Sequence, residues 1–270
     1  MTPDLLQAVF LGALQGATEF LPVSSSGHLV VVPTLLGWGP PSLTFDITAH
    51  LATALAVLVF FRGDWWRMLA GFGRGLRAGS PWSDPDGRAL VLVAVATLPA
   101  GLVGVALEDY FTELFAAPRT VAVMLVVTGA ILLTAERLAR GVRTPGAVDL
   151  PRALAIGAAQ AVAIVPGISR SGSTIATGMA LGLPRAEAAR FSFLMATPII
   201  VGAALLQLAH FLAAGRGLEA IGPLLAGAVV AFAVGYASIG WLLGYVRRRS
   251  LTAFGAYAIV FGLASAWLLS

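Results

Sequence analysis

Glu19 follows Gln15 by one helical turn, in a stretch that is apolar until the run Pro22-Val-Ser24-Ser25-Ser26-Gly27-His28. Side chains four apart on a helix share a face, so this amide and this carboxylate can point at one spot. A carboxylate beside an amide oxygen suits a hard divalent cation, Mg2+ or Ca2+, that also holds phosphate. The same pair would equally serve as a buried hydrogen-bonding contact to a neighbouring segment. Ser24, Ser25, Ser26 and Gly27 supply a helix N-cap and backbone amides, an anion cradle once the helix dipole is added. Capping explains one serine, not three with a histidine directly behind. Within reach of those hydroxyls, His28 can act as proton acceptor or attack directly.

A second polar run interrupts the other half of the chain: Gln160, then Pro166-Gly167-Ile-Ser169-Arg170-Ser171-Gly172-Ser173-Thr174. Arg170 carries a permanent charge and forks two donors toward a phosphate, and burying it unpaired among apolar segments is costly. Its apolar flanks place it away from either membrane interface, so it reads as an anion grip rather than a snorkelling side chain. Ser169, Ser171, Ser173 and Thr174 add hydroxyl donors beside it. Asp46 and His50 also share a helical face, and are read as a helix start or as support outside the site. His210 is expected at an interface.

What must position these residues follows from composition. The 270 residues are 58% hydrophobic and 11% charged with mean hydropathy +0.89, more apolar surface than one water-soluble core can hide. The chain is expected to be a polytopic membrane protein. Its 17 basic residues are all arginine and its net charge is +4, but the arginines lie between apolar stretches instead of forming one face, which argues against nucleic acid as a partner. Absence of cysteine excludes disulfides and thiolate metal sites. The first apolar run lacks a basic flank and is soon interrupted by Gln15 and Glu19, so it is expected to stay in the mature protein rather than be cleaved as a signal peptide.

A membrane-crossing helix needs about 20 mainly apolar residues. Six stretches qualify, roughly Phe45–Phe61, Ala89–Leu107, Val121–Ala135, Phe191–Leu212, Ala220–Tyr245 and Thr252–Leu269. Leu5–Leu36 and Leu154–Leu183 are each broken near the middle by a polar run, which proline, glycine and ionisable residues at membrane depth permit only around a buried or wet site. Both read as re-entrant hairpins. With that reading Arg62, Arg67, Arg74, Arg77, Arg88, Arg137, Arg140, Arg143, Arg152, Arg185, Arg190 and Arg247 to Arg249 share one face, and only Arg119 and Arg216 fall on the other. The arginine-rich face is then cytoplasmic, and both termini and the acidic Glu108, Asp109, Glu113 loop lie outside. Gly71 to Gly87 reads as a cytoplasmic loop.

The halves also repeat. A shift of 145 positions lays Gly12, Ala13 and Gln15 on Gly157, Ala158 and Gln160, and Ser24, Ser26 and Gly27 on Ser169, Ser171 and Gly172. One hairpin and three spans per half make the second half enter from the opposite face, so the tips should meet near the midplane. The expected fold is all-α integral membrane: six transmembrane helices plus two re-entrant helical hairpins in an inverted repeat of about 1–138 and 150–270, within a single domain 1–270.

Gln15-Gly-x-x-Glu19-Phe-Leu-Pro-Val-Ser-Ser-x-Gly-His28 and Pro166-Gly-x-Ser-Arg170-Ser-Gly-x-Thr174 resemble the two signature regions of the undecaprenyl-pyrophosphate phosphatase family, known for bacitracin resistance. The likeness extends to Phe45-Asp-x-x-x-His-Leu-x-Thr and Glu187-Ala-Ala-Arg-Phe-Ser-Phe-Leu, and so spans nearly the whole chain. It implies a multi-pass enzyme of the bacterial inner membrane that takes the terminal phosphate from undecaprenyl pyrophosphate on the periplasmic side, recycling the lipid carrier for cell-wall polymers. Many members carry Glu where this chain has Gln15, so Glu19 must do more of any metal binding. The expected mechanism sets a divalent cation on Glu19 and Gln15, with Arg170 and the serine amides neutralising charge. Ser25 is the preferred nucleophile, activated by His28. Direct attack by His28 or by water fits the sequence equally. Undecaprenyl pyrophosphate, other prenyl pyrophosphates and membrane lipid are the expected partners, with a homo-oligomer left open. The alternative is a transporter that carries a polyprenyl phosphate across the bilayer on the same site.

Overall fold

Residues 3–139, 148–213 and 221–270 are described by a computed structural model, and among them every regular element is helical. Arg140, Arg143 and Arg216, used above to assign sides, lie outside the described residues. Among the described residues five helices are long and apolar enough to cross a membrane: α3 (Leu43–Phe60), α5 (Pro85–Ala106), α7 (Pro118–Ala139), α10 (Arg185–Ala213) and α11 (Ile221–Val246). The sixth expected span, α12 (Thr252–Leu268), is apolar but has 17 residues. The chain is a multi-pass membrane protein.

Each interrupted stretch forms two short helices separated by a break. The first gives α1 (Leu5–Phe20) and α2 (Ser25–Leu35), the second α8 (Leu150–Val162) and α9 (Arg170–Ala180). Pro22 lacks the amide that would continue α1, and Leu21 before it is extended at φ −64°, ψ 140°. In the second break Gly167 takes a φ of +92°, which a side chain would resist. A Cβ there would also stand 2.3 Å from the Val121 carbonyl oxygen of α7. Within each pair the helices pack on one another. Near the open end of the first, the Phe10 and Trp38 rings meet edge-on at 5.7 Å. At that of the second, Arg152 Nε donates to the Leu181 carbonyl at 3.1 Å.

Packing then ties the halves together. α1 lies against α11 and α8 against α5, and α7 pairs with α12. The approach is close enough that a Cβ on Gly12 would sit 2.3 Å from the Gly227 oxygen and one on Gly157 2.4 Å from the Ala96 oxygen. Small residues that let backbones approach are the usual means of packing helices in lipid. The largest apolar cluster runs from Phe20 and Val23 through Ile175 and Met179 to Phe193 and Phe254.

The expected loop between Gly71 and Gly87 is only partly a loop. Arg62–Arg77 forms a further helix, α4, and a single 3-10 turn at Pro81–Ser83 leads into α5, whose N-cap Asp84 accepts from the Asp86 and Gly87 amides. Trp66, Leu69 and Leu76 of α4 are exposed, while Asp64 pairs with Arg67 and with Arg190 of α10, and Arg74 with Asp84. An amphipathic helix of this kind was hidden by its several glycines and arginines, which read as loop when counted one by one. A second short helix, α6 (Glu108–Phe115), occupies the acidic connection. Glu136, buried at the end of α7, takes both Arg185 Nε (2.8 Å) and Arg185 Nη2 (2.5 Å) from α10 and the Leu251 amide (2.8 Å) ahead of α12.

Candidate active site

The two breaks bring their polar residues together. Ser24 caps α2 by accepting from the Gly27 amide at 3.2 Å, and Ser169 caps α9 by accepting from the Gly172 amide at 3.0 Å. Each cap also pairs with the serine two residues on, Ser24 with Ser26 and Ser169 with Ser171, both at 3.2 Å. Across the interface the Gly167 amide donates to Ser26 Oγ at 3.3 Å, and Ser171 Oγ donates to the Leu21 carbonyl at 3.1 Å. Two helix N-termini therefore meet, and each presents first-turn amides and the positive end of its dipole.

Glu19 sits at that junction, buried. Its Oε1 accepts from Arg170 Nη2 at 2.7 Å, and its Oε2 from Ser25 Oγ at 2.5 Å and from Gln15 Nε2 at 3.2 Å. One carboxylate thus touches both halves of the chain. Gln15 is buried with its Oε1 lacking a hydrogen-bond partner, and Arg170 Nη1 is in the same position. An acceptor and a donor so placed beside an ion pair are the groups a ligand would satisfy, since a buried polar atom left alone costs about 1–3 kcal/mol.

Other expected site residues stand elsewhere. His28 is not against Ser25: its Nδ1 lies 2.7 Å from the Ser24 carbonyl oxygen and its Nε2 2.8 Å from the Tyr257 hydroxyl. Three positions past Ser25 on α2, a spacing that would let the two share a face, its ring is instead held against α12, stacked on Phe261 at 4.6 Å. Both His28 nitrogens are thus engaged away from Ser25, in place of the expected contact, and the group that touches the Ser25 hydroxyl is Glu19. Thr174 faces α10, where its hydroxyl meets Ser192 Oγ at 2.7 Å. Ser173 is buried one turn into α9.

Three residues at the junction escaped the sequence reading. His50 of α3, read above as lying outside the site, brings its Nε2 to 4.0 Å from Glu19 Oε2, with Asp46 Oδ1 3.5 Å from its Nδ1. The signal is the four-residue spacing of Asp46 and His50 inside an apolar span, which a helix start explains equally well. Thr128 of α7 donates to the Gly167 carbonyl and accepts from the Ser169 amide, both at 2.9 Å, and so braces the second break. Tyr257 reaches His28 from α12. Neither of these last two has a local sequence signature.

For a divalent cation the donors are Glu19 and the Gln15 amide oxygen, and among the described residues no group of three or more His, Cys, Asp or Glu is arranged to hold a metal ion. Two oxygen donors fit Mg2+ well where substrate phosphates complete its shell, as that ion usually binds through one or two protein ligands plus phosphate.

A family model described as "Bacitracin resistance protein BacA" matches residues 8–264. A relative from Rubrobacter xylanophilus is 46% identical over 98% of this chain and 98% of its own length, and bears the name undecaprenyl-diphosphatase. Relatives with that name from Acidiphilium cryptum, 44% identical over 100% of this chain and 99% of theirs, and from Trichlorobacter lovleyi, 42% identical over 96% and 95%, span it similarly.

Proposed function

This chain belongs to the bacitracin resistance protein BacA family, and from that premise we propose that it is an undecaprenyl-diphosphatase, a membrane hydrolase that converts undecaprenyl pyrophosphate to undecaprenyl phosphate and phosphate. The observation that carries the reading is the meeting of Ser25 and Arg170 on Glu19, a nucleophile and an anion grip on one carboxylate. The names of the relatives are those of a hydrolase, and nothing in them supports the transporter alternative.

Arg170 Nη1 and the first-turn amides of α2 and α9 receive the pyrophosphate oxygens and neutralise the charge that builds as the terminal phosphoryl group departs. Ser25 Oγ attacks the terminal phosphorus while its proton passes to Glu19. The bond to the bridging oxygen breaks, and undecaprenyl phosphate leaves with that oxygen. Water then attacks the phosphoserine, Glu19 returns its proton to the departing Ser25 oxygen, and phosphate leaves carrying the protons of the water. Glu19 is held for both steps by Gln15 and Arg170. A divalent cation bound by Glu19 and Gln15 would supply further charge neutralisation at the phosphates.

The architecture we propose is the inverted repeat with two re-entrant hairpins, both termini outside the cytoplasm, in the bacterial inner membrane, with reaction on the periplasmic side. Several contacts support it. The bond from Arg152 to the Leu181 carbonyl joins the entry and exit of the second interrupted segment, and Phe10 meeting Trp38 does so for the first. Glu136 gathers the ends of α7, α10 and α12, and Asp64 with Arg190 adds the start of α4 to the same arginine-rich side. Gly12 on α11 and Gly157 on α5 are 145 positions apart and make equivalent approaches to opposite halves. These contacts support reading the chain as one domain built from two such halves.

The decisive experiment is phosphate release from undecaprenyl and farnesyl pyrophosphate by the purified protein in detergent or nanodiscs. Turnover by the wild type, lost in Ser25→Ala and Glu19→Gln, is expected. No release under any divalent cation would overturn the reading.

A further inference from the structure

His28 is tied down at both ring nitrogens, and the two bonds define its protonation. The atom facing Nδ1 is a carbonyl oxygen, that of Ser24 at 2.7 Å, which can only accept. Nδ1 therefore carries the proton, and in the neutral ring Nε2 accepts from the Tyr257 hydroxyl 2.8 Å away. The ring is buried and lies between near-parallel partners, Phe261 at 4.6 Å and Tyr257 at 5.7 Å. It has no free nitrogen left to exchange a proton with Ser25.

The carbonyl that His28 holds belongs to an unusual residue. Ser24, at φ 72° and ψ 100°, is the only non-glycine residue with positive φ among the described residues. A side chain is strained in that region, and such a conformation persists only where several neighbours enforce it. Here the enforcers are the capping bond from the Gly27 amide to Ser24 Oγ, the His28 amide at 3.2 Å from the Ser24 carbonyl oxygen, and the His28 ring on that same oxygen. The next residue is Ser25, whose hydroxyl is directed at Glu19. Relaxing the Ser24 peptide would swing that hydroxyl off its acceptor.

We propose that Tyr257 is a positioning residue: acting through the His28 ring, it holds the Ser24 peptide in its left-handed turn and so aims the Ser25 hydroxyl at Glu19. The proposal rests on the reading of Ser25 as nucleophile. It gives His28 a role that requires a donor at Nδ1 and not a base. It also gives the α12 hydroxyl that meets His28 a role beside the stacking of Phe261 from the same helix. A phenylalanine at 257 would preserve the ring contacts with His28 and Phe261 and remove only the hydrogen bond.

The test combines kinetics with a direct reading of the ring. Tyr257→Phe should lower kcat about 3- to 10-fold, the size of one neutral hydrogen bond, and leave KM within about twofold. His28→Asn places an amide nitrogen where Nδ1 stood and should lose no more than Tyr257→Phe does. His28→Gln, with its nitrogen nearer the Nε2 position, should fall about another tenfold. Adding Tyr257→Phe to His28→Asn should cost nothing further, because the ring through which Tyr257 acts is gone. In 15N-histidine-labelled wild type, the resonances that vanish in His28→Asn should report a neutral ring protonated at Nδ1, with Nε2 shifting in Tyr257→Phe. Protonation at Nε2, an unchanged kcat in Tyr257→Phe, or a folded His28→Asn as inactive as His28→Gln would overturn the proposal. If the wild type releases no phosphate from any prenyl pyrophosphate, the functional reading fails separately, and the tautomer alone decides whether Tyr257 orients the ring.

Discussion

Glu19 and Arg170, 151 positions apart in the chain, are joined by a 2.7 Å hydrogen bond between Oε1 and Nη2 and are both largely withdrawn from solvent. Neither could be kept charged alone in an apolar bundle. Each half of the protein supplies one of them, so the pair forms only when the two breaks meet. Glu19 also fixes the guanidinium in the orientation that leaves Nη1 for an anion.

Arg170→Lys keeps the charge and loses the fork. Turnover should fall at least about tenfold, in line with a charge-assisted contact worth about 1.5–3 kcal/mol. Arg170→Met should do more harm to the fold, because it leaves Glu19 buried without its counter-charge, a loss of about 3–5 kcal/mol. Combining it with Glu19→Gln should recover most of the thermal stability and none of the activity. Thermal unfolding in detergent beside phosphate release checks both. A folded Lys variant with wild-type kinetics would reduce the arginine to a structural tie.

Ser25→Ala should be nearly inactive, whereas Ser24→Ala and Ser26→Ala should lose less, since a helix end survives loss of one cap or one amide partner at about 1 kcal/mol. Glu19→Gln and Ser25→Ala act on one proton transfer, so the double variant should be little worse than either. Rapid quenching of wild type with substrate should trap phosphate on Ser25. Phosphate found on a histidine instead, or a Ser25→Ala variant close to wild type, would move the nucleophile.

Much of this site could be read from local spacing. Gln15 and Glu19 converge because four residues make one helical turn, and the breaks at Pro22 and Gly167 follow from a missing amide and a positive φ. What spacing could not supply is partnership between distant segments. His50 looks ordinary without α3 beside α1, and Thr128 and Tyr257 belong to apolar helices without any polar pattern. The placing of the His28 ring was hidden for a related reason. Its type suggested chemistry, but the direction of a side chain at the start of α2 depends on which helix lies opposite, and α12 captured it. The amphipathic α4 was missed because glycine is a poor helix former in isolation, while ion pairs to Asp84 and Arg190 hold this helix in place.

Metal dependence should follow from Gln15. Chelation should abolish turnover, and Mg2+ or Ca2+ should restore it. Gln15→Glu adds a second carboxylate and should lower the Mg2+ concentration for half-maximal activity about 3- to 10-fold, as ligand charge tunes affinity for hard cations. Gln15→Leu should raise it. Full activity in excess chelator would remove the cation from the site and leave Gln15 as a buried brace for Glu19.

Sidedness can be measured directly in a chain without native cysteine. Arg74→Cys and Arg248→Cys should react with an impermeant maleimide only from the cytoplasm, and Glu113→Cys only from outside. Reaction of Arg74→Cys and Arg248→Cys from opposite faces would break the re-entrant arrangement, because it would give an interrupted segment a net crossing.

Gly12→Ala and Gly157→Ala probe the repeat itself. An added methyl would stand 2.3 Å from the Gly227 carbonyl oxygen in one case and 2.4 Å from that of Ala96 in the other, so each backbone contact must open. Overpacking of this kind costs about 1–3 kcal/mol, and both variants should melt lower by similar amounts. Their effects on activity should differ. Gly12 lies on α1, one turn before Gln15 and two before Glu19, so shifting it moves the carboxylate. Gly157 lies on α8, which packs on α9 but carries none of the groups bonded to Glu19. Phosphate release should therefore fall further in Gly12→Ala than in Gly157→Ala at equal loss of stability. Equal destabilisation with equal activity would mean that α1 and α8 carry the site alike. A Gly157→Ala variant as stable as wild type would show that α8 does not pack on α5 as α1 packs on α11, and the symmetry between the halves would fail.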